Sequence, residues 1–181
     1  MSDDFRIEIS PAAALFYPLL LLPAEDWEIL ALLSAVAVHE AGHILALLGL
    51  GGRVYALSLC LGGLGLDAAL PPALWAEVFC LLAGPCAGFL WAGIAAWLGG
   101  GKMLYASGLS ALFSLFNLLP CLPLDGGRAL LALTGRVKLL RRCGILCAVL
   151  LICAGLQRGL SLLLPPAAWL LFCQLSPRAL R

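Results

Sequence analysis

The reading turns on residues 33–52, "LSAVAVHEAGHILALLGLGG". Around Ser34, His39, Glu40 and His43 this stretch is apolar, broken only by small residues and glycines. Three ionisable groups sit in the middle of a hydrophobic run, and His39 and His43 are the only 2 histidines of the chain. Positions i and i+4 of a helix share one face, so both imidazoles can reach a single metal ion. Glu40 is turned about 100° from His39, which places it beside such a metal, where it can take a proton from bound water. The competing reading, two buried histidines beside an incidental glutamate, has to bear the cost of polar burial with nothing to offset it.

The rest of the composition says what kind of molecule carries this motif. Of 181 residues, 63% are hydrophobic and 12% charged, with a mean hydropathy of +1.05. Soluble domains carry about a quarter charged residues, so this chain reads as an all-α polytopic membrane protein, one compact bundle domain over 1–181. The net charge of +1 and the lack of a basic stripe with interleaved aromatics argue against nucleic-acid binding. The acidic start "MSDDFRIEIS" does not resemble a removable signal peptide. The 8 cysteines form no CxxC pair and mostly lie in apolar runs, as small buried hydrophobes do.

Apolar runs suggest about six spans, near 11–23, 27–50, 73–98, 103–119, 139–156 and 159–175. The first carries Pro18 and is short, and the last contains Pro165 and Pro166. With loops placed on alternate sides, Arg6, Arg53, Arg128, Arg136, Lys138, Arg141, Arg142, Arg178 and Arg181 collect on one face. Lys102 and Arg158 are left on the other. The positive-inside rule makes the first face cytoplasmic, with both termini there. Between the second and third spans, "VYALSLCL" at 54–61 followed by Gly62-Gly63 reads as a short strand or hairpin against the bundle. It offers an edge to which an extended substrate could bond.

A catalytic zinc site needs a third protein ligand. Beyond Glu40 and the group Glu25, Asp26 and Glu28 at the start of its span, the remaining acidic residues in or beside the spans are Glu77, Asp67 and Asp125. Asp125 is best placed, in "FNLLPCLPLDGGRALLAL" at 116–133. Pro120 and Pro123 break the fourth span, and Gly126-Gly127 allow a tight reversal. Cys121 is a weaker ligand candidate. The plain alternative for this stretch is a proline-rich exit loop with a solvated aspartate. Asn117 adds a polar amide to an apolar helix.

"HEAGH" on one span and "NLLPCLPLDGG" on a later one resemble the site-2 protease family of intramembrane zinc metalloproteases. The N-terminal "FRIEISP" looks most like the bacterial branch that processes a sporulation sigma factor. The resemblance runs from about residue 5 to 140. It implies one catalytic Zn2+ held by His39, His43 and Asp125, with Glu40 as the catalytic glutamate and Asn117 holding substrate backbone. "LAGPCAG" at 82–88 looks like the family's A-G-P element, which commonly continues to an asparagine where this chain has Gly88.

The function expected from motif and resemblance together is intramembrane zinc endopeptidase. It would cut in or near a transmembrane segment of a membrane-tethered protein, in a bacterial cell membrane, with the active site open to the cytoplasm. A regulatory membrane partner fits that setting. The rival is a non-catalytic metal-binding membrane protein, a zinc carrier or dead regulator, which would be expected to spread polar positions over several helices. This chain shows one cluster.

Overall fold

The computed structural model describes residues 6–11, 13–14, 24–60, 63–69, 72–158 and 164–175. The chain divides into two compact units, Met1–Leu115 and Phe116–Arg181. Among the described residues, three helices are long and apolar enough to cross a membrane: α1 (Asp26–Gly49), α2 (Leu74–Leu98) and α5 (Val137–Arg158, apolar through Gln157). The expected six spans are therefore not all matched. The fourth appears as α3 (Gly101–Asn117), a 17-residue helix of about 26 Å at ~1.5 Å per residue. The sixth appears as α6 (Leu164–Leu175), of 12 residues. Most of the first, 11–23, lies outside the described residues. Its start is visible: Ser10 Oγ accepts from Ala13 N–H at 3.1 Å, an N-cap followed by Pro11 at the first helical position.

In the first unit, strand β1 (Arg6–Ile9) joins a three-stranded sheet with β2 (Arg53–Cys60) and β3 (Gly63–Ala69), in the order β1-β2-β3. The hairpin expected after the second span is present as β2 and β3, antiparallel, with an irregularity between Val54 and Ala56. The parallel partner β1 was not foreseen, because four residues of "RIEI" carry little periodic signal. It overturns one expectation. Strand β2 is the middle strand, paired with β1 over residues 56–59 and with β3 from 53 to 60. Over 56–59 its backbone groups are spent on both sides, so the edge expected along 54–61 is closed there, and the 53–55 end has no β1 partner among the described residues.

Helix α1 starts on a charged turn, with Glu25 N–H donating to the Glu28 carboxylate at 3.1 Å and Asp26 and Glu28 at the positive end of the helix. Its buried positions Ala31, Ala35, His39 and Gly42 fall on one stripe. Helix α2 answers with Ala76, Cys80, Gly84, Gly88 and Ala92, one small residue per turn. Apolar helices in lipid gain nothing from hiding Leu from water, so close backbone approach through small residues is what holds such a pair. A Cβ on Gly42 would come within 2.6 Å of the Ala83 carbonyl oxygen. Large side chains point outward instead: Trp97 is 84% exposed and Leu45 70%, a surface suited to lipid rather than water. Helix α3 docks on α2 through hydroxyls, Ser107 donating to the Ala92 carbonyl at 2.8 Å and Ser110 to the Gly88 carbonyl at 2.9 Å.

In the second unit, Cys121, Leu124, Ala148 and Leu170 form a buried cluster, with Phe116, Leu119, Cys147 and Trp169 packed around it. The stretch 125–134 forms a further helix, α4 (Asp125–Thr134), where sequence suggested a reversal at Gly126-Gly127. Its signals were present: an acidic residue in the first turn and Gly135 after the last, left-handed at φ 64° and returning its N–H to Leu131.

Candidate metal centre

His39 and His43 lie on the stripe by which α1 meets α2. His39 is 2% exposed, and its ring stands edge-on to Phe113 of α3 at 5.0 Å between centroids. The Nε2 atoms of His39 and His43 face each other at 3.2 Å. The tautomer follows from the other end of His43. Its Nδ1 is 2.8 Å from the Cys80 carbonyl oxygen, which can only accept, so Nδ1 carries the proton and Nε2 presents a lone pair. A backbone carbonyl fixing one ring nitrogen is the usual support of a metal-binding histidine. Two nitrogens each ~2.0–2.1 Å from one tetrahedral zinc stand about 3.3 Å apart. The 3.2 Å separation here matches that value, so the pair fits the metal.

The ring of His43 has room because Gly84 has no side chain. A methyl there would overlap the imidazole around Nε2. This gives the glycine of "LAGPCAG" a physical role that the sequence did not disclose. Gly88, where the resembled pattern has asparagine, is also explained: a Cβ there would run into the Ser114 hydroxyl, and its carbonyl already receives Ser110. At this position α2 lies in close contact with α3.

Glu40 is half-buried on α1, one residue past His39. A cavity of about 500 Å³ is lined by Ile44, Leu48, Arg53, Val54, Tyr55 and Leu57, between the last turns of α1 and strand β2. Asp67, on β3, is exposed, as is Glu77 in the first turn of α2.

In the second unit, Asn117 is the half-buried last residue of α3, and Asp125 the half-buried first residue of α4. The segment between them is tightly tied, with Cys121 N–H donating to the Leu119 carbonyl at 2.7 Å and Leu124 N–H to the Cys121 carbonyl at 2.9 Å. Gly126 and Gly127 are glycines because a Cβ on either would overlap the backbone carbonyls of Leu118 and Cys121. Neither has positive φ; close approach, not a turn, requires them. Cys121 is fully buried in the cluster.

No protein-family model matches the sequence, and no curated protein matches it. Among solved structures the chain is similar to a site-2 protease from Methanocaldococcus jannaschii, with a TM-score of 0.71 and 21% identity, covering 93% of this chain and 88% of that one. At that identity the likeness is one of fold.

Proposed function

We propose that this protein is an intramembrane zinc endopeptidase of the site-2 protease family, with His39, His43 and Asp125 as metal ligands and Glu40 as the general base. The observation that carries the reading is the His39–His43 pair, Nε2 to Nε2 at 3.2 Å with His43 Nδ1 committed to Cys80. The donor set supports it: two imidazoles and a carboxylate, His39, His43 and Asp125, could hold a metal ion. The fold likeness to a site-2 protease supports it independently.

A bound zinc would polarise the scissile carbonyl and lower the pKa of its water toward ~7. The chain's own groups do the rest. Glu40 accepts a proton from the attacking water and returns it to the leaving amine. Asn117 holds the substrate backbone by its amide. The cavity beginning at Ile44, one residue past His43, takes an apolar side chain of the substrate. A peptide bond inside a helix has its carbonyl engaged four residues on, so the substrate segment must unwind locally before it can be attacked. The substrate is a membrane-tethered protein, the site is reached from the cytoplasm, and both units act as one membrane-embedded domain of a bacterial cell membrane.

The test is zinc per mole in detergent-purified protein, wild type beside Asp125→Ala and Glu40→Gln. About one zinc in the wild type, lost in Asp125→Ala and retained in Glu40→Gln with cleavage abolished, is the expected pattern. Metal-free, well-folded wild type would refute the mechanism. Full zinc in Asp125→Ala would require another third ligand. A Glu40→Gln protein that still moves zinc across a vesicle membrane would instead identify a carrier.

A further inference from the structure

The second unit buries one polar side chain that the proposed chemistry does not use. Gln174, on α6, is 0% exposed. Its Nε2–H donates to the carbonyl of Leu122, and its Oε1 has no hydrogen-bond partner among the described residues. An amide carried that deep, half of it unsatisfied, costs stability, so its retention asks for a reason beyond packing. Helix α5 is shaped around it. A methyl on Gly144 would stand 2.8 Å from Oε1 and closer still to Cδ.

The reason lies in what Leu122 belongs to. Residues 118–124 have left α3 and not yet entered α4, so their carbonyls depend on turn bonds, on the first rung of α4 at Leu124, or on side chains. Leu122 sits three residues before Asp125. Leu122 is itself buried, so without Gln174 its carbonyl would face neither water nor a donor. Downstream of that point the loop is rigid. Leu124 N–H bonds to Cys121, Arg128 N–H to the Leu124 carbonyl at 2.9 Å, and the two glycines lie against the Leu118 and Cys121 backbone. The amide of Gln174 ties this loop to a distant element, α6, by a hydrogen bond to the loop's backbone.

We infer that Gln174 is a positioning residue of the metal centre: by holding the Leu122 carbonyl it fixes the loop that presents the Asp125 carboxylate. The inference rests on the proposed ligand role of Asp125. With the amide removed, the buried carbonyl seeks another donor, the loop shifts, and Asp125 no longer stands where a metal needs it.

The experiment uses the full chain in detergent and measures zinc affinity by competition with a chromogenic chelator, for wild type, Gln174→Met and Gly144→Ala. Amide hydrogen exchange of residues 119–128 is followed in the same proteins. Gln174→Met keeps length and volume without the donor, and Gly144→Ala keeps the amide but pushes it off Leu122. The expected result is zinc binding weakened about tenfold or more in both, with faster exchange confined to 119–128. Wild-type zinc affinity in either folded variant overturns the inference, whatever happens to thermal stability. If Gln174→Met does not fold, Gly144→Ala decides alone; if neither folds, Gln174 is a packing residue and the inference falls. Failure of the underlying reading looks different, since it shows as absent zinc in the wild type or retained zinc in Asp125→Ala.

Discussion

His43 depends on two neighbours that bring no side-chain chemistry of their own. His43 is held in one tautomer by a backbone carbonyl, and its ring occupies the space that Gly84 leaves. Gly84→Ala therefore acts as an active-site substitution although it adds only a methyl. It is expected to weaken zinc binding about 10–100-fold, the range for loss of a ligand's support, as read by chelator competition. Glu40→Gln works in the opposite sense. It leaves the imidazoles untouched, so zinc stays, while cleavage of a membrane-tethered reporter falls on the order of 10²–10⁴-fold. The motif H-E-x-x-H was legible in sequence because its geometry is local: i and i+4 share a helix face whatever surrounds them. The Cys80 carbonyl, 37 residues away, left no mark in the pattern, since any residue supplies a carbonyl.

At the scale of the element, the pairing of α1 with α2 decides where the histidines point. The small-residue stripes were readable one by one as Ala and Gly in apolar runs, but their match across two helices was not. Gly42→Val tests the contact. Its side chain meets Ala83 and Ala87, and overpacking of this kind costs about 1–3 kcal/mol, so the thermal midpoint in detergent should fall while the two imidazoles remain chemically intact. The sheet carries the opposite lesson. Alternation identified the 54–61 region as a strand and Gly62-Gly63 as the place to turn, yet its neighbours were invisible, because strand pairing is a property of two segments. With β1 on one side and β3 on the other, β2 has no edge to lend to a substrate over residues 56–59. Helix α4 was hidden for a different reason. Its Asp125-Gly126-Gly127 start looks like a turn until the Leu118 and Cys121 carbonyls, pressed against those glycines, are seen.

For the molecule as a whole, the charge asymmetry and the aromatic cluster at the start of α1 point the same way. Trp27 stacks edge-on with Tyr105 at 4.9 Å, and the Lys102 ammonium stands 5.7 Å from the Trp27 ring, an arrangement suited to a membrane–water boundary. His43 follows Trp27 by 16 residues, about 24 Å along the helix at ~1.5 Å per residue. In a hydrocarbon layer of ~30 Å that places the histidines past the middle, away from the Trp27 end of α1. A C-terminal epitope tag should accordingly be digested by added protease in inside-out vesicles and protected in right-side-out ones. The reverse result would invert the topology and with it the side from which water enters.

The sequence by itself determined the solvent of this protein, the helical register of His39, Glu40 and His43, and the presence of an acidic residue in a broken, proline-rich segment. Those properties are set by composition and by spacing along one element, and both are written in the order of residues. Only the tertiary structure decided that His43 is oriented by α2, that Gly84, Gly126 and Gly127 are glycines for want of space, that "RIEI" completes a sheet, and that Gln174 reaches the loop before Asp125. Most of these are contacts between segments far apart in the chain, and those of Gly126 and Gly127 reach back eight and six residues to Leu118 and Cys121. The partner in each case is a backbone carbonyl, an absent methyl or a paired strand, groups that every residue carries and that a pattern of side chains therefore cannot signal.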